Sequence, residues 1–405
     1  MARIITGLDV GSSHIRGIVA SESKDGKLAV LSAFRQGSVG VRRGVVTDPD
    51  DFTNTIRELV IDLGKISRSA PKNIFVNFQS SHVKSRVSRG IAAVARADRE
   101  IQEDDVSRVN QASQAVKLSS NFVILHNIVR EYIVDEVADI KNPVHMVGNR
   151  LEVSTLLVEA FGPQIDLLVR CFEKAGGVVG GIIFNPLAAS RSVLTKRQKD
   201  LGVLLIDFGF GSTSFVIYEE GKVMHAKTIP IGSGYLTNDI AVGLKTSVDI
   251  AEKLKTVYGF AFSKDVSRRD SIALSEFDPQ SKNEITKRFL SEIIEVRLAE
   301  ILELIQSELK VLGRNGQLPG GVVIVGGGAK LPGLPELVRH ELKLSVQTGF
   351  PSLEHLEVMN PTHKDLIDDP EFATALGLVL WGEEEEFSVV QGGGFLKNFF
   401  RNLMP

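Results

Sequence analysis

The alternation of hydrophobic and polar residues predicts the same strand–turn–strand unit twice along the chain. In residues 4–20, an apolar run ends at Asp9, a short turn of glycine and serine follows, and the alternation then resumes. Residues 201–218 repeat this pattern, with an apolar run that ends near Asp207 and a second glycine-rich turn. Because both the elements and the acidic residue return in the same order, the sequence predicts an internally duplicated fold.

Segments with apolar residues at three- and four-residue steps predict the helices that pack on these strands. They are a helix that begins near Asp50 and helices over 163–175, 234–258, 283–312 and 369–382. Two further apolar segments predict buried strands: 177–185, and the start of 320–334, where three glycines and a helix-opening proline follow. This order of strands and helices indicates an α/β protein.

Residues 74–160 differ from the segments on either side, because short strands there surround a charged helix. The strand patterns are NIFVNF, NFVILHNIVREYIVD and RLEVSTLLVEAF, and the helix pattern is DREIQEDDVSRVNQASQAVKL. We therefore expect an inserted α+β module in the first half of the chain.

Length and composition narrow the class of protein. A chain of 405 residues is too long for one ordinary core, so we expect roughly two to four subdomains. Hydrophobic residues make up 43% and charged residues 24%, which is typical of globular proteins and argues against general disorder. The net charge of −3 gives no reason to expect nucleic acid as a partner.

Cysteine usage and hydropathy indicate a reducing compartment and no membrane-spanning helix. The single cysteine, Cys171, has no partner for a disulfide within the chain. A strand pattern begins within the first residues, so we expect no signal peptide. The longest uncharged run, 175–190, is rich in glycine and shorter than the roughly 20 apolar residues of a membrane span.

The two acidic turns have the residue types that bind phosphate and magnesium. Glycine lets backbone N–H groups approach a phosphate closely, and serine or threonine hydroxyls add donors. A carboxylate near a strand end, such as Asp9 or Asp207, suits Mg²⁺ bound through water. One such turn alone is more often a plain hairpin turn. Two at equivalent places, with Gly326–Gly328 at a third strand end, favour a polyphosphate gripped from both sides and a base and ribose against the glycines.

Together these elements resemble the superfamily of actin, heat-shock chaperones and sugar kinases, and within it the FtsA family of bacterial cell-division proteins. The resemblance extends over nearly the whole chain. GLDVGSSHIRGIVA is similar to the family's first phosphate loop, RGVVTDPDDFTNTI to its G-x-I/V-x-D segment, and IVGGGAKLPGL to its adenosine loop. REYIVDEVADIKNPVHMVGNRLEVSTLLVEA is the most specific stretch, since chaperones and sugar kinases lack it.

The resemblance assigns roles to individual residues of this sequence. The first phosphate loop falls on Asp9, Gly11, Ser12 and Ser13. The Mg²⁺-side carboxylate falls on Asp207, and the second phosphate loop on Gly209, Gly211, Ser212 and Thr213. Positions that flank ribose and adenine fall on Glu252 and Lys255, and the base-contacting loop on Gly326, Gly327 and Gly328. Without the resemblance, Glu252 and Lys255 are equally well read as a solvated ion pair.

Three positions depart from the family pattern. The family's first loop usually carries lysine where this chain has His14, and a neutral imidazole offers less charge to a phosphate. Its second loop usually has a small residue where Phe210 stands. Chaperones have an acid, and actin an amide, that positions water for hydrolysis, whereas Asn185 stands there and cannot act as a general base. We therefore expect ATP and Mg²⁺ to be bound with at most slow hydrolysis, and name no catalytic residue.

The last residues predict an amphipathic helix behind a glycine hinge, Gly392–Gly394. At about 100° per residue, one face carries apolar side chains and the other carries basic ones. The apolar face holds Phe395, Leu396, Phe399, Phe400 and Leu403, and the basic residues are Lys397 and Arg401. Such a helix suits an anionic membrane surface, although the pattern alone also fits a helix docked on its own fold. The resemblance implies membrane targeting, because FtsA proteins end in such a helix.

The expected architecture is an actin-like, two-lobed α/β fold with duplicated ribonuclease-H-like subdomains, an inserted α+β module and a C-terminal amphipathic helix. The predicted units are a first subdomain (1–76 and 161–196), the inserted module (77–160), a second subdomain (197–245 and 316–382), its small subdomain (246–315), a linker (383–394) and the terminal helix (395–405).

The resemblance implies a cell-division protein that tethers the ring protein FtsZ to the cytoplasmic face of the membrane at the division site. Its expected partners are the C-terminal peptide of FtsZ, further copies of itself in a filament, and other division proteins that contact the inserted module. Two alternatives remain open from sequence: a protein of type IV pilus assembly related to PilM, and an enzyme of the sugar-kinase type.

Overall fold

The computed structural model describes residues 3–22, 27–277, 284–354 and 356–391. The predicted terminal helix, 395–405, and the glycines before it lie outside the described residues. The strands are β1 Ile4–Val10, β2 His14–Glu22, β3 Leu28–Gly37, β4 Val41–Arg42, β5 Val45–Val46, β6 Ile74–Phe78, β7 Lys84–Ala93, β8 Phe122–Val134, β9 Val137–Ile140, β10 Arg150–Phe161, β11 Val179–Phe184, β12 Val203–Phe208, β13 Thr213–Glu219, β14 Lys222–Ile229, β15 Ser271–Ala273, β16 Glu284–Thr286, β17 Val322–Val325, β18 Val346–Thr348 and β19 Leu356–Glu357. The helices are α1 Pro49–Ile66, α2 Glu103–Gln114, α3 Gly162–Ala175, α4 Asn185–Val193, α5 Lys196–Leu201, α6 Ser233–Leu244, α7 Val248–Tyr258, α8 Lys287–Val311, α9 Leu334–Leu342, α10 Pro361–Ile367 and α11 Ala373–Gln391.

The duplication predicted from the sequence is present as two sheets with the same strand order. In the first lobe the order is β3-β2-β1-β6-β11, with β19 added beside β3. In the second lobe it is β14-β13-β12-β17-β18. In each sheet the first three strands are antiparallel hairpin partners, and the next two run parallel to the innermost of them. The predicted acidic turns are therefore the β1–β2 and β12–β13 turns, at equivalent places in the two sheets.

Helices α4 and α11 pack together between the two lobes, and this packing places the two turns face to face. Nearly every residue of α4 is buried, and apart from Asn185 and Arg191 its residues are apolar or small. The two helices cross at Gly377, where an added Cβ would lie 1.9 Å from the Ala188 carbonyl oxygen. The same core continues from Phe75 in the first sheet to Val323 in the second, so it spans both lobes. A second core, which includes Phe215 and Ile294, lies within the second lobe alone.

The inserted module is a sheet of order β7-β10-β8-β9 with α2 on one face, and it has its own small core. Its helix is shorter than the charged pattern suggests. It begins at Glu103, because the Asp105 carboxylate accepts a 3.0 Å hydrogen bond from the Gln102 backbone and caps the first turn.

Two further helix boundaries differ from the prediction. The region 234–258 is two helices, because Lys245 has a left-handed φ of 53° and Ser247 then caps the start of α7. Helix α11 continues to Gln391, through most of the segment predicted as a linker, 383–394. Its four consecutive glutamates, Glu383–Glu386, have a high helix propensity, which allows the helix to run on.

Candidate functional site

A cavity of about 460 Å³ lies between the two lobes, where the acidic turns face each other. Most of the residues predicted to bind a ligand line it. These are Asp9, Gly11, Ser12, Ser13, Asp207, Gly209, Gly211, Glu252, Lys255, Gly326, Gly327 and Gly328. The fold thus brings strand ends from both halves of the chain to one site.

The first turn is closed by a hydrogen bond from the Gly11 backbone nitrogen to the His14 carbonyl oxygen at 3.1 Å. A Cβ at position 11 would lie 2.7 Å from that same oxygen, so only glycine fits this turn. The Ser12 hydroxyl oxygen accepts a 3.0 Å hydrogen bond from the Gly44 nitrogen, which ties the turn to the β4–β5 hairpin.

The second turn repeats this geometry. The Gly209 nitrogen donates to the Ser212 carbonyl oxygen at 3.1 Å, so the donor and acceptor are three residues apart, as Gly11 and His14 are in the first turn. Gly211 faces the opposite lobe, where an added Cβ would lie 2.6 Å from the Ser12 Oγ. The two predicted phosphate loops are thus in contact across the cleft.

Ser212 and Thr213 do not line the cavity. Both are buried, Ser212 just before β13 and Thr213 as its first residue, and the Thr213 hydroxyl donates a 2.8 Å hydrogen bond to the Ile231 carbonyl oxygen. In this arrangement the hydroxyl of Thr213 fixes the segment that leads into α6.

Two side-chain amides connect the carboxylates of the two lobes. The Asn77 Nδ2 donates to the Asp9 Oδ1 at 2.8 Å and to the Asn185 Oδ1 at 2.6 Å. The Asn185 Nδ2 in turn donates to the Asp207 carboxylate. The Asn77 Oδ1 accepts from the Val10 nitrogen at 2.6 Å, so this amide is anchored in the first sheet. We call Asp9, Asn77, Asn185 and Asp207 the amide bridge.

A buried arginine supplies positive charge at the first turn. Arg16 donates from Nε and Nη2 to Glu371 Oε2, at 2.9 and 2.6 Å, and its Nη1 lies 3.5 Å from the Asp9 carboxylate. The Arg35 guanidinium and the Lys330 ammonium also lie 3.5 Å from Glu371. Glu371 thus has three cationic neighbours, of which Arg16 also faces Asp9 and Lys330 also pairs with Asp369 at 2.6 Å.

Burial dominates the electrostatics of the two acidic residues. It raises the pKa of Asp9 to about 6, although the neighbouring Arg16 opposes the rise. It raises the pKa of Asp207 to about 7, and the nearby Asp9 charge adds to this rise. By contrast, the pKa of Glu371 is lowered overall, because Arg16 and its other cationic neighbours outweigh its burial. A cation between the two aspartates would stabilise their charged forms.

Glu252 and Lys255 form an ion pair on the wall of the cavity. Their charged atoms lie 2.7 Å apart, and the Lys255 ammonium also donates to the Thr237 hydroxyl at 2.8 Å. The side chain of Lys255 is only 9% exposed, so this is not the freely solvated pair that the pattern alone allows. Burial lowers the pKa of Lys255, and Glu252 offsets part of that effect.

The triple glycine allows close packing beside the second turn. Gly326 has a left-handed φ of 84°, and a Cβ there would lie 2.4 Å from the Asp207 carboxylate. A Cβ on Gly328 would lie 2.0 Å from the Phe208 ring. Side chains at these positions would therefore push β17 away from β12.

The three departures from the family pattern have different surroundings. His14 contacts Ser13 Oγ at 2.7 Å, and burial, followed by the Arg35 charge, lowers its pKa. Phe210 is 41% exposed at the cavity wall, with the Lys255 ammonium 5.4 Å from its ring centre. Asn185 makes one hydrogen bond through its amide oxygen and one through its amide nitrogen within the amide bridge.

Sequence reasoning missed Arg16, Asn77 and Glu371. Alternation along β2 places Arg16 on the same face as His14, where the family usually carries lysine. The sequence pattern therefore indicated a second candidate for a cation on this face, two residues after His14. Asn77 and Glu371 carry no local signal, because each reaches the site from a different part of the chain through the fold.

Two family models match this sequence. The model described as "Cell division protein FtsA" matches residues 204–377, and the model described as "SHS2 domain inserted in FTSA" matches residues 80–159. The second match falls on the inserted module.

Curated relatives match over most of their length. A cell division protein FtsA of Borreliella burgdorferi is 33% identical over 95% of this chain and 92% of its own. The FtsA of Pseudomonas aeruginosa is 31% identical over 95% of this chain and 90% of its own. That of Bacillus subtilis is 31% identical over 93% and 82%.

Solved structures show the same fold. A chain of a PilM–PilN type IV pilus biogenesis complex aligns with a TM-score of 0.68 at 18% identity, over 94% of this chain and 98% of that chain. MreB 5 of Spiroplasma citri bound to AMPPNP aligns with a TM-score of 0.56 at 12% identity, over 96% and 99%. These likenesses confirm the actin-like fold, and their low identity favours no function.

Within the described part of the chain, no helix is both long enough and apolar enough to cross a membrane.

Because the FtsA relatives match at over 30% identity across most of both chains, the PilM-like alternative is the less well supported one. The chain belongs to the FtsA family of cell-division proteins, with an actin-like fold.

Proposed function

We propose that this chain binds ATP with Mg²⁺ between its lobes and acts as an actin-like adaptor of bacterial cell division. The observation that carries the proposal is the convergence of two acidic glycine turns, from opposite lobes, on one cavity with a glycine strand end beside it. The solved MreB 5 bound to AMPPNP is a protein of this fold with a nucleotide ligand, which supports the same ligand class here.

The residues present fit an ATP–Mg²⁺ ligand. A Cβ at Gly11 would clash with the His14 carbonyl oxygen, and one at Gly211 with the Ser12 Oγ of the facing turn, so glycine allows two tight turns, whose backbone N–H groups would bind phosphates, to face each other closely. Asp9 and Asp207 would hold Mg²⁺ through water, and a bound magnesium ion would neutralise phosphate charge. Glu252 and Lys255 would flank the ribose and adenine, and Gly326–Gly328 would contact the base.

Hydrolysis is expected to be slow. The position that carries an acid in chaperones and an amide in actin is Asn185, and both polar atoms of its side chain are used within the amide bridge. An amide cannot act as a general base, and the hydrogen bonds of Asn185 to Asn77 and Asp207 compete with the orientation of a water molecule. Bound ATP then acts chiefly as a ligand that holds the lobes together and favours polymerisation.

In the cell, the chain would tether the FtsZ ring to the cytoplasmic face of the membrane at the division site. The C-terminal peptide of FtsZ would dock on the small subdomain, 246–315, and the inserted module would contact other division proteins. The amphipathic segment 395–405 would bind the anionic membrane surface. Self-association into filaments would place many such segments on one membrane.

Membrane attachment and polymerisation would be coupled by avidity. Burying five large apolar side chains is worth at most about 8–12 kcal/mol, and ordering the helix removes about 1 kcal/mol or more per residue. One segment therefore binds weakly and reversibly, whereas a filament that presents many segments binds strongly.

Nucleotide binding is tested by titrating a fluorescent ATP analogue with and without Mg²⁺. The wild-type chain is expected to bind, and Asp207→Asn to weaken the Mg²⁺-dependent affinity by about tenfold or more. Asp200→Asn, on the exposed surface of α5, is the matched control and is expected to bind like wild type. No ATP affinity of the wild-type protein with Mg²⁺ would refute the proposal.

The tether is tested by co-sedimentation with liposomes that contain anionic lipid. The intact chain is expected to sediment and to recruit FtsZ, whereas a 1–394 truncation is expected to do neither. Reversing the charges of Lys397 and Arg401 to glutamate distinguishes an electrostatic contribution of the lipid from simple hydrophobic insertion. Equal sedimentation of the intact and truncated chains would refute the membrane role.

The sugar-kinase alternative is tested separately by an activity assay with ATP and a panel of sugars. Phosphorylation of any of these sugars would favour that alternative.

A further inference from the structure

The β4–β5 hairpin projects from the first lobe toward the phosphate end of the cavity. Its strands pair Val41 with Val46 and Arg42 with Val45, so Arg43 and Gly44 form the tip. Both tip residues have a positive φ, 51° for Arg43 and 77° for Gly44. Two consecutive positive φ values are typical of the tight two-residue turns that prefer Asn-Gly. Arginine is an unusual choice in the first of these positions.

The tip is fixed firmly to the first lobe through Gly44. Its nitrogen donates to the Ser12 hydroxyl oxygen at 3.0 Å, in the first acidic turn. A Cβ on Gly44 would lie 2.4 Å from the Gln79 carbonyl oxygen, just beyond the end of β6. The hairpin therefore cannot shift without moving the first turn.

The same tip touches the second lobe through Arg43. A Cβ on Gly211 would lie 2.9 Å from the Arg43 Cα, so the hairpin backbone abuts the second turn. The Arg43 guanidinium lies 5.4 Å from the centre of the Tyr235 ring, at the start of α6. A guanidinium over a tyrosine ring at this distance is an attractive cation–π contact.

Tyr235 is itself held between the hairpin and α8. The Arg297 guanidinium, on α8, lies 5.9 Å from the centre of the same ring. Arg297 is fixed by the Asp239 carboxylate at 2.7 Å, so it keeps its place whether or not Arg43 is present. Arg43 is thus the member of this stack that belongs to the opposite lobe.

We infer that Arg43 is a positioning residue that latches the two lobes together beside the phosphate loops and slows the release of a bound nucleotide. The inference rests on the proposed binding of ATP in this cavity. For ligand to leave, the two turns must separate, and their separation carries Gly211 and Tyr235 away from the hairpin tip. That step breaks the Arg43–Tyr235 contact, so the contact slows the release of a bound nucleotide. It does not affect the entry of nucleotide into a cleft that is already open.

The experiment measures association and dissociation of a fluorescent ATP analogue by stopped flow on the full chain with Mg²⁺. Arg43→Asn removes the guanidinium and keeps a turn sequence, Asn-Gly, that the tip geometry favours. Arg42→Asn, one residue earlier on the exposed edge of the same hairpin, removes an identical charge and is the matched control. Thermal unfolding without nucleotide checks that each variant folds.

Arg43→Asn is expected to raise the dissociation rate by about two- to fivefold, in line with an exposed cation–π contact, and to leave the association rate nearly unchanged. Arg42→Asn is expected to match wild type in both rates. Tyr235→Leu is expected to raise the dissociation rate as well, and the double variant Arg43→Asn with Tyr235→Leu to be no faster than the faster single variant.

Equal dissociation rates of Arg43→Asn and wild type would overturn the latch. So would an equal rise in both arginine variants, which would mark a general effect of charge, or fully additive effects of the two latch variants. These outcomes leave nucleotide binding itself intact. Absence of binding by the wild-type chain would instead refute the proposed function on which the latch depends.

Discussion

The side-chain nitrogen of Asn185 donates a hydrogen bond to the carboxylate of Asp207, and both residues are buried. Asn185 is the first residue of α4, between the lobes, whereas Asp207 lies near the end of β12 in the second sheet. Through Asn77, the same amide reaches Asp9 in the first sheet. Asn185, which stands where chaperones have an acid and actin an amide for hydrolysis, therefore connects the acidic residues of the two lobes.

Asn185→Ala is expected to lower the free energy of unfolding by about 2–4 kcal/mol. It removes the hydrogen bonds that Asn185 makes with Asn77 and Asp207 in a buried site, and each loss is worth about 1–3 kcal/mol, although Asn77 keeps its bond to Asp9. Urea unfolding at pH 7 measures the change. Asn54→Ala, on the exposed face of α1, is the control and is expected to change stability by less than about 0.5 kcal/mol. A small loss equal to that of the control would contradict a structural role for the bridge.

Gly211→Ala is expected to weaken nucleotide binding more than it weakens the fold. The added Cβ would lie 2.6 Å from the Ser12 Oγ and 2.9 Å from the Arg43 Cα, so the two turns must move apart. The measurement pairs ATP-analogue titration with thermal unfolding. Gly64→Ala is the contrast, because no atom lies within 4 Å of its Cβ position in α1. It is expected to stabilise the helix by about 0.5–1 kcal/mol and to leave binding unchanged. Wild-type affinity in Gly211→Ala would show that the turns need no such contact.

The local parts of the site could be predicted from the sequence, because each acidic turn follows its own strand and the pattern repeats. The triple glycine at the end of β17 could be found for the same reason. The amide bridge could not, since Asn77 and Asn185 lie far apart along the chain and meet only when β6 and β11 become neighbours. A residue that belongs to a predicted phosphate loop does not always place its side chain in the cavity. Thr213 continues the second turn in sequence, yet alternation along β13 directs its hydroxyl to Ile231.

Arg16→Met is expected to destabilise the fold by about 2–4 kcal/mol, because it leaves the buried carboxylates of Asp9 and Glu371 without their main cation. Arg35 and Lys330 still lie 3.5 Å from Glu371, so they reduce the loss of unfolding free energy. The double variant Arg16→Met with Glu371→Gln removes one unpaired charge and is expected to recover part of the stability. Urea unfolding of the three proteins measures this coupling. Purely additive losses would mean that the two side chains do not stabilise each other.

Lowering the pH is expected to destabilise the protein through His126, on β8. This imidazole is 9% exposed, its Nε2 accepts a 2.9 Å hydrogen bond from the Phe184 nitrogen, and its ring lies 5.5 Å from that of Trp381. Burial lowers its pKa from 6.5 to about 4. The unfolded chain therefore takes up a proton at a higher pH than the folded chain does.

Because the folded-state pKa is the lower one, the contribution of His126 to stability is complete above pH 6.5 and is lost as the pH falls from 6.5 toward 4. The loss approaches about 1.4 kcal/mol per pH unit and totals about 3 kcal/mol. His126→Gln keeps an acceptor for the Phe184 nitrogen but does not titrate. Carboxylates titrate in the same range in both proteins, so the difference in unfolding free energy between wild type and His126→Gln isolates the histidine. Trp381 is the single tryptophan and reports unfolding by fluorescence. The unfolding free energy of wild type, relative to that of His126→Gln, is expected to fall steadily between pH 6.5 and 4.5. A constant difference would show that His126 has the same pKa in the folded and unfolded states.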